Sequence, residues 1–91
     1  MELHKPQAEI TRNIQDAEQL IEVGASYTHY KNPEHSYEVE KFGTLESSEV
    51  LCVIYTAKYG DGLTFIRPVR EWLDQVEWQG QLVPRFKKTN L

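Results

Sequence analysis

Apolar residues recur along the first quarter of the chain at Ile10, Ile14, Ala17 and Ile21, spaced four, three and four apart, with Leu20 beside them. Arg12, Asn13, Gln15, Asp16, Glu18, Gln19 and Glu22 fill the positions between, so one stripe is oily and the remaining surface wet, the signature of an amphipathic helix. Pro6 suits a first helical turn, where its missing N–H has no partner to lose, and Gly24 suits the left-handed residue that ends a helix. The predicted helix runs from Gln7 to Val23. Its apolar face needs a surface, supplied either by the rest of the chain or by a second copy in a homodimer.

Beyond Gly24 the period falls to two. Tyr27 to Lys31 reads as a short aromatic strand, Asn32-Pro33-Glu34-His35 as a turn, and Tyr37 to Phe42 as a second strand. In that strand the inward parity set by Tyr37 and Val39 slips to Phe42, leaving Lys41 where an apolar residue is due; a bulge near Glu40 to Phe42 repairs the pattern. Gly43 to Glu49 is a polar loop, and Val50 to Tyr59 is apolar on both faces, as in a central strand. A turn at Gly60-Asp61-Gly62 leads into Leu63 to Arg67, where either Phe65 or Ile66 faces inward. With Leu63 and Phe65 inward, Arg67 shares their side and needs a carboxylate or a bound anion; otherwise it is a solvated surface charge. Pro68 opens a short helix with Val69, Trp72, Leu73 and Val76 on its apolar side, and Gln79-Gly80 joins a final hairpin of Val76-Glu77-Trp78 and Leu82-Val83-Pro84. The tail after Phe86 reads as loose. Tyr37 and Trp72 belong to the core.

These elements predict a mainly β fold with an N-terminal helix. Residues 1–25 form the helical unit and 26–91 a small, strongly bent antiparallel sheet, preferably an SH3-like barrel, with an α+β sandwich under the helix as the runner-up. A chain of 91 residues with 40% hydrophobic and 26% charged residues fits one soluble domain with a folded core. No apolar core of a signal peptide follows Met1, and no apolar run approaches the ~18 residues of a membrane span, so the cytoplasm is the expected compartment and no membrane partner is expected. The single cysteine, Cys52, lies in the apolar run and reads as a buried reduced thiol.

Charge narrows the partners. Of the net −4, residues 1–25 carry five acids against Lys5 and Arg12, while the remainder is nearly neutral with a basic end in Arg85, Lys87 and Lys88. No clustered basic stripe is present, which argues against tight binding of duplex nucleic acid but leaves room for one nucleotide or a short single strand.

Chemical motifs are sparse. The chain holds no dinucleotide or phosphate-loop glycine pattern and no nucleophile elbow, so no cofactor is expected. His29 and His35, six apart across Pro33, lack zinc-ligand spacing, and no metal is expected. Glu46 with Glu49, and Asp61 with Arg67, flank turns and read as solvated surface rather than acid/base pairs. What stands out is a set of tyrosines and cations. Tyr30, Lys31, Tyr55, Tyr59, Arg67 and Arg85 are the candidate ligand-binding residues, with Tyr27 in the same group, because tyrosine offers a flat apolar ring with a polar tip and arginine grips carboxylate or phosphate through two parallel bonds.

Tyr-x-His-Tyr-Lys at Tyr27 to Lys31, Tyr37-Glu38-Val39, Tyr55-x-x-x-Tyr59-Gly60, Phe65-Ile66-Arg67-Pro68 and Val83-Pro84-Arg85-Phe86 together resemble the bacterial domain-of-unknown-function family 1653 in order and spacing. The resemblance covers about Tyr27 to Phe86 and leaves the N-terminal helix outside. It implies no activity. The family usually has a glycine at the place of Lys41 and a His-Ser-Glu-Thr run before the central strand, where this chain has Leu45-Glu46-Ser47-Ser48, so no role of that loop carries over. The preferred function is a non-catalytic binding module for a planar anionic ligand, a nucleotide, short single strand or peptide carboxylate. The alternatives are a small hydrolase or transferase of nucleotide metabolism, and a purely structural assembly subunit.

Overall fold

The computed structural model describes residues 6–89. Helix α1 (Gln7–Glu18) is followed by β1 (Ser26–His29), β2 (Asn32–Thr44), β3 (Leu51–Ala57), β4 (Thr64–Pro68), the single turn of helix α2 (Val69–Trp72), then β5 (Gln75–Trp78), β6 (Gln81–Pro84) and β7 (Phe86–Lys88). Five strands form one antiparallel sheet in the order β4-β3-β2-β1-β7, and β5 with β6 forms a separate hairpin. The fold is thus mainly β with an N-terminal helix. Among the described residues the edge strands β4 and β7 do not pair, so the sheet is open and the expected SH3-like barrel does not close.

The parity slip in β2 is resolved by a bulge. Val39 lies opposite Tyr55 and Lys41 opposite Ile54, which leaves Glu40 as the extra residue and returns Phe42 to the core side, opposite Val53. A second irregularity moves the expected turn. His29 pairs with Asn32, so the reversal is Tyr30-Lys31, and the ladder passes from Thr28 opposite Ser36 directly to that pair, leaving Pro33, Glu34 and His35 out of register and exposed. A proline has no N–H to give a ladder and sits well in such a bulge.

α1 is shorter than its stripe. After Glu18 the N–H groups of Gln19 and Leu20 reach back three residues, to Asp16 at 3.2 Å and Ala17 at 3.0 Å, tightening the last turn. Ile21 then drops fully into the core while Leu20 stays 67% exposed. Gly24 is left-handed, with φ 87°, yet it serves a turn beyond the helix, where its N–H donates to Val39 O at 2.8 Å. Within α1 only Ala17 is buried, so the sheet is not roofed by this helix as a sandwich would require. The chain after Phe86 is not loose up to Lys88: it forms β7 against β1, with Phe86 opposite His29.

One face of the sheet carries the core. Tyr27, Tyr37, Val39, Val53, Tyr55, Ala57 and Phe86 meet Ile21 and Trp72 there. Each fully buried aliphatic side chain among them contributes about 1.5–3 kcal/mol by leaving water. Trp72 of α2 lies flat on Phe86, with ring centres 3.7 Å apart and planes 5° apart, and meets the edges of Tyr27 and Tyr55 at 5.3 and 4.9 Å. The hairpin β5–β6 turns at Gln79-Gly80, both with positive φ (53° and 81°), as a two-residue turn of this hand requires. It is tied to the sheet through Arg85, whose N–H donates to Asp74 O at 2.9 Å and whose carbonyl accepts from Tyr30 N–H at 3.1 Å.

Candidate functional site

The register of β3 and β4 decides which way Arg67 points. Tyr55 lies opposite Phe65 and Val53 opposite Arg67, so both β4 residues share the core face, whereas Ile66 lies opposite Ile54 on the other face and is 61% exposed. Arg67 Nη1 meets Glu71 Oε1 at 3.4 Å, its Nε reaches the Tyr55 hydroxyl at 3.5 Å, and its guanidinium carbon stands 5.6 Å from the centre of the Phe86 ring. These contacts are long. Its partner is Glu71, one turn on through α2, and not Asp61.

Beside Arg67 the sheet face is uncovered. An open cleft of about 260 Å³ is lined by His29, Lys31, Asn32, Tyr37, Tyr55, Phe65, Arg67 and Phe86. The walls are rings set edge to face: Tyr37 against Tyr55 at 5.5 Å and Phe65 at 6.3 Å, and His29 against Phe86 at 5.1 Å. Lys31 and Arg67 are cations, and no carboxylate belongs to this lining. The acid paired with Arg67, Glu71, belongs to α2 and has a half-exposed side chain, so water screens the pair.

Local chain geometry places each group. The two-residue reversal at Tyr30-Lys31 swings Lys31 and Asn32 to the mouth, and Lys31 N–H donates to His29 Nδ1 at 3.2 Å. The neutral imidazole therefore carries its proton on Nε2. Burial, then the positive charges of Arg67, Arg85 and Lys31, hold the His29 pKa below its ordinary 6.5, so the ring is mainly neutral at pH 7. Tyr37 shares a 2.9 Å hydrogen bond with the hydroxyl of Tyr59, and its pKa is pushed up to about 12 by burial first and by that bond second. It is a neutral wall, not a base. Cys52 lies opposite Gly43 and Pro68 on the far face of the sheet, buried, with its thiol pKa raised by that burial.

Of the six residues singled out in the sequence, Lys31, Tyr55 and Arg67 line the cleft. Tyr59 reaches it through Tyr37 and is stacked on His35 at 4.1 Å. Tyr30 stands outside, against His29 at 4.6 Å and Trp78 at 5.3 Å. Arg85 is spent on the fold, its Nε donating to Glu71 O at 2.9 Å and its Nη2 lying 3.9 Å from Asp74. Tyr27 is buried, and its hydroxyl accepts from Glu22 N–H at 2.9 Å. The sequence reading missed His29, Asn32, Phe65 and Phe86, and placed Tyr37 in the core alone. The Phe65 and Arg67 alternation held the signal for one of these; the β1–β7 pairing that brings His29 to Phe86 had none.

The family model described as a protein of unknown function, DUF1653, matches residues 25–88. The chain belongs to the DUF1653 family. The match spans β1 to β7 and omits α1. The chain is similar to the crystal structure of a DUF1653 protein from Bordetella bronchiseptica, at 28% identity, covering 69% of this chain and 81% of that one, with a TM-score of 0.61. No curated protein matches it. No helix among the described residues is long and apolar enough to cross a membrane.

Proposed function

We propose that this DUF1653 domain is a non-catalytic binding module that takes a planar, anionic ligand into the cleft between the β1–β2 turn and β4. One observation carries the reading: a ring-walled hollow holds two cations, Lys31 and Arg67, and no acid. A flat group lies against the exposed ring of Phe65, over a floor that includes the buried Tyr55 and Phe86, while its phosphate or carboxylate meets the guanidinium, which exchanges two long contacts for short charge-assisted bonds. The enzyme alternative gains no support from these groups, since Tyr37 holds its proton to about pH 12 and Cys52 faces away. Arg67→Ala tests the reading, with thymidine monophosphate as probe in a fluorescence and NMR titration. Binding weakens at least tenfold while the fold survives; an Arg67→Ala protein that unfolds, or one that binds as before, contradicts it.

A second reading concerns α1, whose Ile10 and Ile14 are only half-buried and so favour a homodimer contact through the helix. Light scattering of the whole chain against a chain lacking residues 1–18 tests it: a dimer that persists without them counts against the helix.

A further inference from the structure

Rings do not stop at the wall of the cleft. His29, in the wall, lies 4.6 Å from Tyr30, and Tyr30 meets Trp78 of the hairpin at 5.3 Å with planes 78° apart. Trp78 is 38% exposed. Lys31 belongs to both places: it lines the cleft, and its Nζ stands 5.8 Å from the centre of the Tyr30 ring. A cation is therefore set between two aromatic surfaces. Residues alternate across β5, so Trp78 shares its side with Val76 and Val83, while Glu77 and Leu82 point to the opposite side.

A second hollow opens from the cleft the other way, through Lys31 and Asn32 to Pro33, Glu34 and His35, where His35 is stacked on Tyr59. That exit is lined by the carboxylate of Glu34, which repels a phosphate. Lys31 borders both directions, but toward Trp78 it stands against the Tyr30 ring with no carboxylate among these contacts.

Resting on the cleft as the binding site, we infer that the ligand is single-stranded nucleic acid of at least two nucleotides. One base sits in the cleft, its neighbour stacks on the exposed face of Trp78, and the linking phosphate passes Lys31. Alternation of rings with cations is how single strands are held without sequence readout, because every base has a flat face and every link a charge. A dinucleotide supplies what this spacing asks for, a flat base for each ring surface and a charged link between them. The absence of a basic stripe along the chain fits this scale, a contact of a few nucleotides and not a duplex groove.

The chain carries its own reporter. Of its two tryptophans, Trp72 is 3% exposed and Trp78 is 38% exposed. Thymidine monophosphate and a thymidine tetranucleotide are titrated into wild type, Trp78→Ala and Trp78→Phe. The tetranucleotide is expected to bind wild type roughly tenfold or more tighter than the monophosphate and to quench the indole emission; Trp78→Ala loses that advantage and binds the monophosphate unchanged, while Trp78→Phe, with a ring still in place, keeps much of it. A tetranucleotide no tighter than the monophosphate, or an advantage that survives in Trp78→Ala, overturns the inference and leaves the cleft reading standing. Binding of neither probe overturns both. Should Trp78→Ala unfold, wild type and Trp78→Phe still decide it: no gain from mono- to tetranucleotide in either sinks the second platform.

Discussion

One face of the sheet is finished in two different ways. On its closed half, Trp72 lies flat on Phe86 and edges onto Tyr27 and Tyr55, and Arg85 bonds to the Glu71 carbonyl at 2.9 Å. On its open half, His29 and Phe65 stand partly uncovered beside the buried Tyr37, and the hydrogen bonds of Arg67 are long, 3.4 and 3.5 Å. Both halves use rings plus an arginine. The difference is completion: a short bond to a backbone carbonyl fixes a guanidinium as a clamp, whereas long bonds to an exposed carboxylate and a phenol hold it in place and leave its donors available.

The comparison is broken most severely by removing the cover. Trp72→Ala is expected to cost about 3–5 kcal/mol, a large share of what a domain of this size has, and to be read as a collapse of the thermal transition. The two arginines should then separate cleanly. Arg85→Ala leaves the Glu71 carbonyl without its charged donor and is expected to lower stability by about 1–3 kcal/mol in a urea melt, with ligand affinity little changed in the folded fraction. Arg67→Ala is expected to do the opposite, changing stability by under about 1 kcal/mol while affinity falls. Equal effects of the two substitutions would erase the distinction between the halves.

The open half should also respond to pH. Because the His29 pKa is held below 6.5, the unfolded chain binds the extra proton first as pH falls. The contribution to stability is complete above pH 6.5 and is lost progressively below it, down to the folded pKa; His29→Gln removes that slope from melts run between pH 7.5 and 5. A bound anion offsets the lesser causes of that depression, the charges of Arg67, Arg85 and Lys31, and so raises the His29 pKa above that of the free folded chain. Affinity for a thymidine dinucleotide whose one phosphodiester charge is constant should therefore rise as pH falls through the same window. The smallest effect lies in the β5–β6 turn, outside the cleft: Gln79 at φ 53° begins a turn that Asn fits better, so Gln79→Asn should stabilise by roughly 0.5–1 kcal/mol and leave binding of thymidine monophosphate unchanged.

Local chemistry made much of this fold readable. The slip from Val39 to Phe42 locates the Glu40 bulge, Gln79-Gly80 locates the last turn, and Pro68 marks the start of α2. Long-range pairing is where the reading fails. Asn32-Pro33 looks like a turn in sequence, yet the reversal lies two residues earlier, because Pro33 can be left out of register while Tyr30 N–H finds the Arg85 carbonyl, 55 positions along. Phe86 to Lys88 has too few residues to declare itself a strand without β1 beside it, and so its place opposite His29, which makes one wall of the cleft, was hidden. Barrel closure was equally beyond reach, since it depends on whether two distant edges meet. Three of the six candidate residues reached the cleft because Lys31, Tyr55 and Arg67 sit on strands or turns whose facing follows from alternation; Arg85 did not, because its partner is a backbone carbonyl that no sequence pattern displays.

The most direct measurement is an NMR chemical-shift map of the whole chain titrated with thymidine monophosphate. Shifts concentrated on His29, Lys31, Asn32, Tyr55, Phe65 and Arg67, and absent from the same titration of Arg67→Ala, are the expected result. Shifts scattered over the closed half or over α1, or no shifts at all, would contradict the claim that the open half of this sheet is a binding site.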